Sequence, residues 1–255
     1  MKDRTNKRSR AVLWIGIPIL VLLSLSIAFA IFAGTCYHAD TEAIEREFPA
    51  KRGISEQTLD SGDMVFTSMH AKVGLIFYPG GRVEHTAYIP LMRELAANDV
   101  CCVLCRMPLR LAVFDVHAAD GLREGFPAVE HWYIGGHSLG GTIAASELHA
   151  HPDTYEGLIL LASYAIDDCS TGTLRALSVF GSEDRVLNRS TYEKNRGNLP
   201  DDTEELVIDG GCHAYFGMYG LQKGDGTPAI SNAEQIRMTA RMIMDWLNGA
   251  QTDTP

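Results

Sequence analysis

The 255-residue sequence predicts an α/β protein, a mostly parallel sheet with helices on both faces. Two observations predict it. Seven short apolar runs, β-rich in composition, recur between residues 63 and 209, and the stretches between and after them carry helical periodicity. A strand that is apolar along its whole length has both faces covered, and strands separated by helices pair in parallel through crossovers. The apolar share of 46% is ordinary for a globular chain, and the length suits one domain with extensions.

Residues 1–10 form a basic tail. Lys2, Arg4, Lys7, Arg8 and Arg10 stand against Asp3, a net +4, which within an overall −10 leaves −14 on the remainder. A body that acidic excludes a nucleic-acid partner, because phosphate binding needs a basic surface and the counterion release it brings. Ala11 to Thr35 follow without a charged residue, and as a helix these 25 residues extend about 37 Å, enough to cross a hydrocarbon core of about 30 Å. The segment is read as a transmembrane signal anchor, its basic flank held in the cytoplasm and the acidic domain outside, a single-pass protein of the cell membrane. The alternative is a cleaved signal peptide and a secreted product, for which Ala28-Phe29-Ala30 offers a small-x-small site.

Residues 36–62 read as a tether, with the charged stretch Tyr37 to Gly53 as linker or peripheral helix, and residues 63–250 as the catalytic domain, closed by a tail at 251–255. Within the domain "DMVFTSM", "VGLIFY", "VCCVLCRM", "HWYIGG", "GLILLAS", "ALSVFG" and "ELVID" are the strands. "AYIPLMRELAAN", "LGGTIAASELHAH" and "SNAEQIRMTARMIMDWLNG" are the helices. Six cysteines in a chain of this length do not make a disulfide scaffold. Along "DVCCVLCRM", Cys101 and Cys105 point one way and Cys102 the other, so they cannot converge on one metal and read as packing. A bridge using Cys169 or Cys212 is left open.

Chemistry enters at Gly136-His137-Ser138-Leu139-Gly140, where the strand "HWYIGG" gives way to a helix. A sharp strand-to-helix turn lifts a serine hydroxyl above the sheet, and flanking glycines let neighbouring backbone approach. The N–H of Leu139, at the positive end of the following helix, is a candidate oxyanion donor. A second donor is expected from "YPGGRVEHTAY", where the N–H of Gly81 or of Arg82 follows the strand end. A serine needs a base and the base an orienting acid, in the chain order acid then histidine. His213, in the glycine-rich loop after the last strand, is the candidate base; Asp184 is the candidate acid, with Glu183 and Asp168 as alternatives. His137 reads as packing. Tyr215, Phe216 and Tyr219, which follow His213, are the candidate substrate-binding side chains.

With these residues in view, the chain resembles the α/β-hydrolase superfamily, and more narrowly the small bacterial group called α/β-hydrolase fold family 5. The likeness covers residues 63 to 250 and rests on "LIFYPGGRVEHTAYIPLMREL", "RMPLRLAVFDVHAAD", "YIGGHSLGGTIAA", "VFGSEDRV", "GGCHAYFGMYG" and "GDGTPAISNAEQ". The resemblance implies the α/β-hydrolase fold, a Ser138, Asp184, His213 triad and a hydrolytic reaction. The similar dienelactone hydrolases use a cysteine nucleophile, and the serine here counts against that assignment. The expected activity is a carboxylesterase-like acyl hydrolase acting on a small, soluble ester, with no cofactor and no catalytic metal. Two alternatives stand beside it: an acyltransferase or perhydrolase with the same triad, and a catalytically idle fold serving as a surface binding module. Between "GLILLAS" and "ALSVFG" only Tyr164 to Arg175 are available, too few for an apolar lid, so an open pocket and a preference for short acyl chains are expected.

Overall fold

The computed structural model describes residues 2–252, with side chains described for 14–30 and 35–249. The chain divides into two units, Met1–Cys36 and Tyr37–Pro255. The first is a helix, α1 (Lys2–Gly34), interrupted in sequence by Pro18. Its side chains from Trp14 to Ala30 are all exposed, and the hydroxyls of Ser24 and Ser26 donate back to carbonyls one turn earlier. Among the described residues no helix is long and apolar enough to cross a membrane. The side chains at 11–13 and 31–34, which complete the span expected from sequence, lie outside the described ones, as do those of the basic tail at 1–10 and of the tail expected at 251–255.

The second unit is built on an eight-stranded sheet. In chain order the strands are β1 (Ser55–Thr58), β2 (Met64–Thr67), β3 (Val73–Tyr78), β4 (Val100–Leu104), β5 (His131–His137), β6 (Gly157–Leu161), β7 (Arg175–Gly181) and β8 (Asp202–Ile208). Their spatial order is β1-β2-β4-β3-β5-β6-β7-β8. β1–β2 and β2–β4 pair antiparallel, and all other pairs are parallel. Strands β3, β4 and β6 are buried at every position, the consequence of helices on both faces. On one face lie α3 (Ile89–Ala96), through Leu91, Met92 and Leu95, and α5 (Asn232–Thr252), through Ile236, Ile243 and Trp246. On the other lies α4 (Leu139–Ala150), through Ile143, Ala144 and Leu148. Cys102 packs on the first face and Cys101 and Cys105 on the second, the split that the two-residue strand period requires. Cys101, Cys102, Cys105, Cys169 and Cys212 are buried free thiols, and burial pushes those of Cys169 and Cys212 up to about 12.

Of the two readings of the stretch Tyr37 to Gly53, linker or peripheral helix, the structure holds the helix and packs it on the domain. From Tyr37 onward this stretch belongs to the second unit: a helix, α2 (Thr41–Glu47), and β1 pack against the domain, and Ile44 and Phe48 are buried. The helix begins at Asp40, whose side chain accepts the Ala43 N–H at 3.0 Å. What fastens both pieces is Arg93 of α3, nearly buried. Its Nε and Nη2 donate to the two Glu56 oxygens at 2.8 and 3.0 Å, and Nη1 donates to Glu45 and to the Phe48 carbonyl at 2.9 and 2.7 Å. This is a forked guanidinium site that no lysine reproduces. Arg93→Ala is expected to lower unfolding free energy by about 3 kcal/mol, because it strands the partly buried Glu56 carboxylate and the buried Phe48 carbonyl. The check is the urea midpoint, which should fall at constant slope.

Candidate active site

Ser138 sits between the end of β5 and the start of α4 with φ 52 and ψ −124, a left-handed backbone unusual for a residue with a side chain. Two glycines make the turn possible. A Cβ at Gly136 would stand 2.6 Å from both the Tyr78 carbonyl oxygen and the Gly140 carbonyl carbon, and one at Gly140 would stand 2.3 Å from the Pro79 and Tyr78 oxygens. The turn is then held in place by hydrogen bonds. The Ser138 N–H donates to Leu161 O at 2.9 Å, while Ser138 O accepts from the Ser163 hydroxyl at 2.7 Å and from the Thr142 N–H at 3.2 Å. Strain at the serine is therefore over-determined by its surroundings.

His213 follows β8, and Asp184 follows β7; both are buried. The His213 Nδ1–H donates to Asp184 Oδ2 at 2.9 Å, which leaves Nε2 as the acceptor nitrogen. That Nε2 is buried without a hydrogen-bond partner among the described residues. The other Asp184 oxygen accepts the N–H groups of Val186 and Leu187, each at 2.8 Å. Burial pushes the Asp184 carboxyl upward, but the His213 bond and charge and the two N–H donors outweigh it and hold the group below its usual range. Among the described residues neither alternative acid bonds to the imidazole: Asp168 is exposed and accepts from Ser170, and the Glu183 N–H donates to Gly211 O.

The oxyanion candidates separate. The Arg82 N–H donates to Arg110 O at 2.7 Å, so the expectation for Arg82 is corrected: a backbone donor already bonded inside the protein is not available to substrate. The N–H groups of Gly81 and Leu139 have no partner among the described residues, and a Cβ at Gly81 would lie 2.9 Å from Leu139 Cδ2, which puts the two in contact.

Ser138, Leu139 and His213 line one cavity of about 390 Å³. Its walls are Thr142, Ala162, Ser163, Tyr164, Ile166, Val186, Leu187 and Asn188. Tyr215, Phe216 and Tyr219 are absent from that lining. Phe216 and Tyr219 are core residues, the one 5.5 Å from the His137 ring and the other 5.5 Å from the Tyr37 ring, and Tyr215 packs against the same core. The expectation is corrected by direction: the short turn after His213 packs these aromatics into the core, and the segments after β6 and β7 supply the pocket.

Several supporting residues were not foreseen. His137 is buried; its Nδ1 accepts from the Tyr88 hydroxyl at 2.7 Å, and that hydroxyl accepts the Gly80 N–H at 3.0 Å. Burial and the neighbouring His213, 4.7 Å away ring to ring, hold the His137 pKa well below the usual imidazole value. A neutral His137 thus links the Gly80-Gly81 loop to the serine turn. The His213 loop is clamped from behind: Asp225 accepts the His213 and Ala214 N–H groups at 3.2 and 2.8 Å, and Gln235 brackets Cys212 with bonds of 2.9 and 2.8 Å. Both clamps lie in "GDGTPAISNAEQ", a motif that was legible while its task was not.

The sequence matches the family described as "Alpha/beta hydrolase family" over residues 74–237, more than half of the chain. No curated protein matches it. Solved structures do. A CIB-like hydrolase from Thermoplasma acidophilum superposes with TM-score 0.53 at 16% identity, covering 75% of this chain and 98% of its own. A membrane phospholipase A, described as a bacterial virulence factor, gives 0.58 at 12% identity over 94% and 98%. A dienelactone hydrolase from Anabaena variabilis ATCC 29413 gives 0.54 at 13% identity over 76% and 99%. At these identities the three share the fold with this chain.

Proposed function

The chain belongs to the alpha/beta hydrolase family, and on that premise we propose that it is a serine hydrolase cleaving small, soluble carboxylic esters with a Ser138-His213-Asp184 triad. One observation carries the reading: an imidazole bonded through Nδ1 to a buried carboxylate, its Nε2 unpartnered, lining the cavity of a serine held at positive φ. His213 Nε2 takes the Ser138 hydroxyl proton as Oγ attacks the ester carbonyl. The oxyanion is held by the N–H groups of Gly81 and Leu139, and the imidazolium returns the proton to the leaving alcohol. Water, deprotonated by the same Nε2, then cleaves the acyl-enzyme and frees the serine. Active-site labelling with a fluorophosphonate probe tests the nucleophile.

Substrate size follows from the walls. Only residues 162–174 join β6 to β7, with no helix among them, and the cavity volume is near the low end for small-molecule sites. Turnover is expected to peak with acetate or butyrate esters and to follow dissolved substrate. A jump on emulsified palmitate ester would instead point to a lipid substrate, of the kind named for the membrane phospholipase A among the structural neighbours. Acyl transfer to an alcohol or to peroxide in place of water is read in the same assay by product analysis.

The proposal extends to location. The exposed apolar side chains from Trp14 to Ala30, with both serine hydroxyls bonded within the helix, support an anchor buried in hydrocarbon and a catalytic unit outside the cytoplasm. Detergent is expected to release the protein from membranes and high salt to leave it bound, since salt screens charge and not apolar burial. A soluble product beginning near Ile31 would mean a cleaved signal.

A further inference from the structure

We propose that His117, Asp120 and His151 form a binding site for one late first-row divalent metal ion, zinc by the chemistry of its donors, which clasps the excursion between β4 and β5 to the far end of α4. One ligand atom from each of the three lies within 4.8 Å of the others. Donor atoms around a tetrahedral zinc stand about 3.3–3.5 Å apart, a spacing that rotation of three exposed side chains reaches. Two imidazoles and a carboxylate, with no thiolate, suit zinc and its neighbours better than calcium or magnesium, and three protein ligands leave a fourth position for water.

The site is prepared from behind. Glu147, 1% exposed, receives His117 Nδ1 at 2.6 Å and the Tyr155 hydroxyl at 3.3 Å. Its carboxylate commits Nδ1 and leaves Nε2 as the atom for the ion, the relation usual for metal-bound histidines. The backbone around His117 is fixed as well. The buried Tyr78 hydroxyl donates to Val116 O at 2.9 Å and accepts the Ala119 N–H at 3.0 Å, and the Asp120 N–H closes a turn onto His117 O at 3.0 Å. From the other side, His151 caps the end of α4, its N–H donating to Glu147 O at 3.0 Å, so the orienting carboxylate lies one helical turn before the ligand. The His117 and His151 rings are 5.6 Å apart, edge to face. A plain ion pair between Glu147 and His117 gives Asp120 and His151 no task, which separates the two readings. The helix places the site about 18 Å along its axis from Ser138, so the ion acts on the fold and not on the ester.

The experiment uses the full chain in detergent, stripped with chelator and titrated with zinc chloride by calorimetry, with thermal unfolding in parallel. The wild type is expected to take up one zinc per chain and to unfold at higher temperature with it. His151→Ala and Asp120→Ala, both at exposed positions, are expected to lose that uptake and that shift. Glu147→Gln, with all three ligands intact, is expected to bind 10- to 100-fold more weakly. Failure of the wild type to bind zinc, or equal binding by His151→Ala, would overturn the proposal; neither result bears on the triad.

Discussion

Ser138→Ala is expected to abolish fluorophosphonate labelling and to lower ester turnover by about 10⁶ while the fold persists. The magnitude is that of a nucleophile whose partners act as one unit, so the Ser138→Ala, His213→Ala double variant should be little slower than either single variant. Residual turnover over water would come from the Gly81 and Leu139 N–H groups and from the cavity, which neither substitution removes. Folding is preserved because the turn is held by backbone and Ser163 contacts rather than by the Ser138 hydroxyl. Near-normal hydrolysis in Ser138→Ala would remove this residue from the chemistry and leave the strained turn without a functional reason.

Asp184→Asn is expected to lower the acylation rate by about 10⁴, because an amide can donate to His213 Nδ1 and so favour the wrong tautomer. The same variant has a readable effect on stability. The Asp184 carboxyl titrates below its usual value in the folded protein, so the stability it contributes is fully present above an unfolded pKa of about 3.9 and is lost as pH falls through the lower folded value. Asp184→Asn should therefore flatten the acid limb of a pH-stability curve below about pH 4 and leave the slope near neutrality alone. A rate close to wild type would transfer the orienting role to another group, although neither Glu183 nor Asp168 bonds to the imidazole.

The runs of β3, β4 and β6 were legible because a strand covered on both faces has no polar side to hide it, and that of β8, exposed or half-buried up to its last residue, because its short apolar stretch is β-rich. Strand β1, Ser55–Thr58, was not: "SEQT" is a largely exposed edge with no alternation, and it exists only because β2 offers a row of antiparallel partners. The packing of the 36–62 segment on the domain was hidden for a related reason. Its charged composition reads as linker, yet one buried guanidinium from a helix some forty residues later ties Glu45, Phe48 and Glu56 to the domain. Such a bond has no local signal.

By itself the sequence determined the order of the elements, the serine turn, and the loops that deliver an acid and a histidine to one edge of the sheet, because periodicity and glycine placement are local properties of the chain. Which of several loop carboxylates meets the imidazole, which backbone N–H groups stay free, and which side chains wall the cavity were decided by tertiary structure. These depend on direction across gaps of a few ångströms between segments far apart in sequence. The Arg82 N–H is spent on the Arg110 carbonyl, and Phe216 and Tyr219 turn into the core, because packing fills each buried donor and each apolar ring with the nearest partner available.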